Sequence, residues 1–265
     1  MSDYQLRFGG IARLYGEQNL LKLQRAHFCV IGIGGVGSWV AEAIARSGIG
    51  NITLIDLDDI CVTNINRQIH ALTTTIGLSK VDVMAERIKA INPQCNVHCV
   101  EDFITLENLS DLLNNKFNYV IDAIDSVNIK SAIIAFCKRN KLPIITIGGA
   151  GGQTDPSKIE TCDLSKTYQD PLLAKVKNQL RREYNFPRAD LIKASKRKFS
   201  IDAVFSTEQL SYPTSEGDVC HAKQSNEGAM RLDCSAGFGA ATHVTASFAF
   251  FAVAHSIKKY LAKIE

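Results

Sequence analysis

Between Phe28 and Gly152 the chain repeats one pattern: an apolar run too short for a helix, a break of glycines or carboxylates, then apolar residues spaced three and four apart. The first run, FCVIGI (28–33), meets Gly32, Gly34, Gly35 and Gly37 and passes into Val40, Ala43 and Ile44. NITLIDLDDI (51–60), NVHCVEDF (96–103), FNYVIDAID (117–125) and LPIITIGGAGG (142–152) repeat it, with helical spacing over 79–90, 107–115 and 130–140. Short buried runs alternating with amphipathic stretches predict an α/β fold: a Rossmann-like, doubly wound, mostly parallel sheet with helices on both faces. Such sheets bind ligands at the carboxyl edge, where these runs end.

The pattern changes after Gly152, so residues 153–265 read as a C-terminal extension packed on the sheet of residues 1–152. TDPSKIETCDLSKTYQDP (154–171) reads as irregular, SIDAVFSTEQ (200–209) as one more strand, and 211–233 as a long mobile loop. Residues 238–257 carry no charge and at about 20 residues would just span a bilayer. The histidines and hydroxyls within them favour a packed helix, with membrane association through 238–257 as the alternative. Net charge is +3, but its distribution is uneven: residues 175–198 hold nine basic and two acidic side chains, +7, which leaves the rest of the chain at −4. Eight scattered cysteines without a C-x-x-C pair, and the polar opening MSDYQLRFGG, predict reduced thiols in a cytoplasmic protein without a four-cysteine zinc site.

A strand that ends in glycines and turns into a helix gathers backbone N–H groups and the positive end of a helix dipole, which suits a phosphate. Asp56 ends the second run, nineteen residues after Gly37, where a carboxylate can hydrogen-bond a ribose hydroxyl. Alone this is a dinucleotide signature, and NAD is its default ligand. Asn66 and Arg67 in TNINRQ, Lys80 in GLSK, and Asp122 and Asp125 in DAID change that reading. Two cations and a strand-end carboxylate around one nucleotide suit a triphosphate with Mg²⁺, because the cations offset phosphate charge and the carboxylate holds the metal.

GIGGVGSW (32–39), LIDLDDICVTNINRQ (54–68), GLSK (77–80) and VIDAIDS (120–126) resemble the adenylation domain of the ubiquitin-activating-enzyme-like superfamily, over about Arg7 to Gly152. The resemblance implies that residues 1–152 are an ATP-binding adenylation domain that activates a carboxylate as acyl-AMP. It implies that Gly32, Gly34, Gly35, Gly37, Asn64 and Ser126 line the nucleotide and that Asp56 takes the ribose. Asn66, Arg67 and Lys80 then contact phosphates, and Asp125 holds Mg²⁺. It further implies a homodimer in which an arginine near the N-terminus, Arg13 or alternatively Arg7, reaches into the partner's site. Small-protein-activating members carry two C-x-x-C zinc pairs, absent here, and often Asn in place of Ser126. GGAGGQTDPSKIE (148–160), DLSKTYQDPL (163–172), VFSTEQLSYP (204–213) and RLDCSAGFGAATHVTASF (231–248) resemble a narrower branch, the bacterial enzymes that dehydrate threonylcarbamoyladenosine in tRNA.

The chemistry implied is argued independently of the likeness. A free carboxylate is a poor electrophile, AMP transfer gives it a good leaving group, and a tethered ureido oxygen then closes the ring at high effective molarity. Such closure needs no protein nucleophile, so Cys234 is expected to pack rather than carry an acyl group or sulfur. The basic segment is expected to meet tRNA phosphates, with Lys196, Arg197 and Lys198 as contacts and Tyr184 and Phe186 available to stack on a base. An adenylyltransferase for the C-terminal carboxylate of a small sulfur-carrier protein is the alternative activity. Whether a monovalent cation (Na⁺ or K⁺) sits near the glycine-rich loop 148–152, and whether a sulfur-transfer or cysteine-desulfurase system is a partner, stays open at this level.

Overall fold

The computed structural model describes residues 2–113, 117–188, 198–214, 217–221 and 238–262. Two helices, α1 (Asp3–Tyr15) and α2 (Glu17–Arg25), precede β1 (His27–Ile31), α3 (Gly37–Arg46), β2 (Asn51–Ile55), α4 (Lys80–Ile91) and β3 (Asn96–Val100). Then follow α5 (Leu109–Leu112), β4 (Tyr119–Asp122), α6 (Val127–Arg139), β5 (Ile144–Ile147), β6 (Ile159–Asp163) and α7 (Pro171–Glu183). The last described elements are β7 (Asp202–Ser206), the short pair β8 (Tyr212–Pro213) and β9 (Val219–Cys220), and α8 (Thr242–Leu261).

Seven strands form one sheet in the order β3-β2-β1-β4-β5-β7-β6, parallel throughout except that β6 runs antiparallel to β7. Phe28 of β1 pairs with Ile52 on one side and Tyr119 on the other, so the chain reverses its direction of winding between β1 and β4. A doubly wound sheet opens a crevice at that switch point, at the carboxyl ends of the strands. Alternation along β1 is complete. Phe28 and Val30 pack with α3 and α8 on one face, while Cys29 and Ile31 pack with α6 and α7 on the other. Burial on both faces explains why these strands read as unbroken apolar runs.

Helix α8 is the apolar stretch near the C-terminus. Its residues Val244, Phe248, Ala249, Ala252 and Ile257 cover the sheet beside Val40 and Ile44 of α3, and no helix among the described residues is long and apolar enough to cross a membrane. The segment 154–171 is not irregular throughout, because β6 lies within it and pairs from Ile159 with Ser206 to Asp163 with Asp202. As an edge strand it exposes Glu160 and half-buries Thr161, Cys162 and Asp163, so its sequence lacks the apolar run of a central strand. Part of 211–233 is also ordered, as the β8–β9 hairpin; residues 215–216 and 222–233 lie outside the described ones.

Candidate active site

The carboxyl ends of β1, β2, β4 and β5 surround a cleft of about 1100 Å³. Glycines shape its floor. Gly32 has φ +84°, and a Cβ there would sit 2.9 Å from Ile124 and 3.2 Å from the Ala123 backbone. A Cβ on Gly37 would overlap the Gly32 carbonyl, so sterics require both glycines for the strand-to-helix turn, and Gly32 also lines the cleft. Gly35 has another role: a Cβ there would be 3.1 Å from Cδ of Arg67, so its absence lets the arginine lie against the loop. The first turn of α3 receives no side-chain cap, although its Ser38 amide donates to the Gly34 carbonyl at 3.1 Å.

Asp56, 9% exposed, is fixed from two sides. Its Oδ2 accepts from the Ile33 amide at 2.5 Å and its Oδ1 from the Asp58 amide at 2.9 Å, with Lys80 Nζ 3.9 Å away. Burial pushes the carboxyl above its ordinary range, opposed by Lys80 and the two amides. Each oxygen retains a lone pair, which suits it to accept from a hydroxyl. Lys80, at the start of α4, is buried and pairs with Asp58 at 2.7 Å. Arg67 donates to the Thr63 carbonyl at 2.8 Å and to Asn66 Oδ1 at 3.0 Å, while Trp39 Nε1 donates to the Arg67 carbonyl at 3.0 Å. Asn66 bridges to the Ala240 carbonyl at 2.8 Å and so ties this turn to the segment before α8. Asn64 accepts from the Cys61 amide at 3.0 Å and shapes the turn from its buried position.

The two aspartates at the end of β4 part company. Asp125 and Ser126 are exposed and line the cleft. Asp122 points into the core, where it meets Lys130 Nζ at 3.0 Å and Thr146 Oγ1 at 2.7 Å, and neither member of the ion pair is accessible to solvent. The cleft also contains residues that sequence reasoning missed: Asp58, Gln68, Phe103, Ile104, Ile129 and Leu172. Asp58 had a signal, standing two residues after Asp56 in LIDLDD. The apolar ones carry none, because a flat ring can be received by any apolar wall.

Other expected residues lie elsewhere. Arg13 is exposed on α1, where a Cβ on Gly9 would be 3.6 Å from its Nη1, and it does not line its own chain's cleft. Arg7 is engaged by Asp3 at 2.7 Å. Phe186 does not offer a stacking face: it is 8% exposed, packed against Phe199 at 5.0 Å, because the chain leaving α7 turns it inward. Tyr184 is half-buried beneath Arg139. Lys175, Arg182 and Arg188 are exposed, as is Lys198; Lys196, Arg197 and Cys234 lie outside the described residues. Among the described residues no cluster of three His, Cys, Asp or Glu side chains forms a metal site. A lone carboxylate such as Asp125 is what Mg²⁺ needs when phosphates complete its shell, so the residues fit a metal that arrives with a nucleotide.

A doubly wound sheet, a glycine turn at its switch point and a cationic rim define a nucleotide-binding enzyme that handles phosphate charge. The chain belongs to the ThiF family, whose model matches residues 9–264. It is 57% identical over 260 residues to the tRNA threonylcarbamoyladenosine dehydratase of Escherichia coli, covering 98% of this chain and 95% of that one. Two solved structures of the E. coli enzyme, one with ATP and one with AMP, each superpose with a TM-score of 0.85 at 53% identity, covering 98% of this chain and 96% of theirs.

Proposed function

We propose that this chain dehydrates N6-threonylcarbamoyladenosine beside the anticodon of tRNA, using ATP to adenylate the threonyl carboxylate. The observation that carries the reading is the cleft itself: Asp56, Arg67, Lys80 and Asp125 line one switch-point crevice in a chain similar along 98% of its length to an enzyme of that name. A carboxylate oxygen attacks the α-phosphorus, the bond to the pyrophosphate oxygen breaks, and acyl-AMP forms. The ureido group of the same side chain then attacks the acyl carbon and loses a proton, and AMP leaves. The ring closes with net loss of one water. Arg67 and Lys80 stabilise the charge that builds on the phosphates, and Lys80 exchanges its Asp58 partner for phosphate oxygens as it does so. Mg²⁺ held by Asp125 and the phosphates would neutralise further charge. Incubation with ATP and modified tRNA should yield AMP, pyrophosphate and a nucleoside lighter by one water in equal amounts; ATP consumption without that nucleoside would refute the reading.

The enzyme acts in the cytoplasm as a homodimer. Leu6 and Leu14 of α1, 66% and 71% exposed, are apolar side chains that a second copy taking Arg13 into its cleft would cover. The segment 175–198 faces the tRNA, since its exposed cations would release counterions from the backbone. Changing Lys196, Arg197 and Lys198 together to alanine should flatten the salt dependence of tRNA affinity by roughly two to three log–log units while ATP affinity holds. An unchanged slope would leave the segment a solvated face.

A further inference from the structure

A second cavity, of about 370 Å³, lies beside the nucleotide cleft and shares no lining residue with it. Tyr168, Asp170, Lys177, Gln209, Tyr212 and His221 contribute to its walls. The two spaces touch at two places. Asp170 Oδ2, on the cavity side, accepts from the amide of Gly149, which lines the cleft, at 3.0 Å. The Tyr212 ring lies 5.1 Å from that of Phe238, which lines the cleft as well. Anything seated in the cavity is therefore one side chain away from the nucleotide.

The composition of the walls suits a flat, polar-edged ring. Tyr168 is 53% exposed, yet its ring is held edge-to-face on Phe205 at 5.4 Å, so it presents a fixed aromatic surface to solvent. Gln169, next to it, keeps φ +53°, a left-handed conformation that a side-chain-bearing residue seldom adopts and that turns the chain sharply into Asp170. Each side of the cavity is braced within itself: Lys177 is anchored on the Thr167 carbonyl at 2.5 Å, and Gln209 donates to the His221 carbonyl at 3.0 Å. The volume is at the small end of ligand pockets, enough for one nucleoside and too small for a nucleotide with its triphosphate.

We infer that this cavity receives the purine of the tRNA residue to be modified, flipped out of the anticodon loop and stacked on Tyr168 or Tyr212. The inference rests on the tRNA reading above and adds to it where the base is held. An enzyme that works on one base must take it out of the stack, and aromatic faces beside polar groups are the usual receiver. With the purine there, the arm on N6 crosses the Gly149–Phe238 rim and brings its carboxylate to the phosphates, and the base stays out of the space that ATP fills.

The test uses the full-length protein and an anticodon stem-loop with adenosine, or an abasic residue, at the target position. Wild type should bind the adenosine form about tenfold more tightly, and Tyr168→Ala or Tyr212→Ala should each reduce that preference severalfold with ATP affinity unchanged. Tyr168→Phe should keep it. A measurement that needs no variant is photo-cross-linking from 8-azidoadenosine at the target position, expected to map to 168–177 or 209–221. A preference untouched by both alanine variants, or cross-links mapping elsewhere, would overturn the inference. Failure of wild type to cyclise the modified stem-loop at all would instead strike the functional reading on which it rests.

Discussion

Arg67→Ala should lower the turnover of modified tRNA by about 100-fold or more, since one oriented cation on a transition-state oxyanion is worth about 3 kcal/mol. The orientation is already present: Gly35 admits the side chain against the loop, and Thr63 and Asn66 fix its guanidinium. ATP affinity should fall much less, because Asp56 would still hold the ribose and Lys80 and the glycine turn the phosphates. The same variant tests the proposed homodimer. Mixed with Arg13→Ala, it should recover about a quarter of wild-type activity, since half the dimers are hybrids and each hybrid has one site with both arginines. Steady-state assays on the mixture check this. No recovery would place Arg13 outside its partner's site, and wild-type turnover in Arg67→Ala would remove that residue from the mechanism.

Lys130→Met should cost about 3–5 kcal/mol of stability, the largest loss expected from a single charge removal in this chain. Lys130 and Asp122 are both inaccessible, 3.0 Å apart, and burial already pushes the Asp122 carboxyl upward against the opposing effect of Lys130. Without the ammonium an uncompensated carboxylate remains in the sheet core between β4 and β5. The penalty should shrink as the pH falls toward the carboxyl's ordinary range, because a protonated Asp122 needs no cation. A second change, Asp122→Asn, should recover part of the loss by keeping a group that Thr146 can bond. Urea unfolding of wild type and these two variants at two pH values measures all of this, and Lys130→Met as stable as wild type would contradict the description of the pair.

The central strands were legible in the sequence because their burial is two-sided, whereas the edge strand β3 was read from its place in the alternation although its residues are largely exposed. Strands β1, β2, β4 and β5 are covered on both faces, so they read as apolar runs, and the strand-to-helix turn announced itself through glycines that sterics require at Gly32 and Gly37. The edge strand β6 was hidden because only Ile159 is fully buried in it. Helices α1 and α2 were hidden because they bury few side chains, chiefly Tyr4, Phe8, Leu20 and Leu23. Within the cleft, Asp56, Arg67, Lys80 and Asp125 were readable as a charged set, while Asp58 was not. The division of labour between Asp122 and Asp125 was not: both end the same strand, and only the fold buries one and exposes the other. Phe186 was misread as a stacking residue for a similar reason, since an aromatic in a basic run gives no sign that the chain leaving α7 turns it inward onto Phe199.

The measurement that bears most directly on the central claim is ATP–pyrophosphate exchange with wild-type protein and three additions: tRNA bearing threonylcarbamoyladenosine, the same tRNA without the modification, and a small sulfur-carrier protein with a free C-terminal carboxylate. Adenylation of the threonyl carboxylate predicts exchange with the modified tRNA alone. Exchange driven by the carrier protein, or by unmodified tRNA to the same extent as modified, would contradict the account.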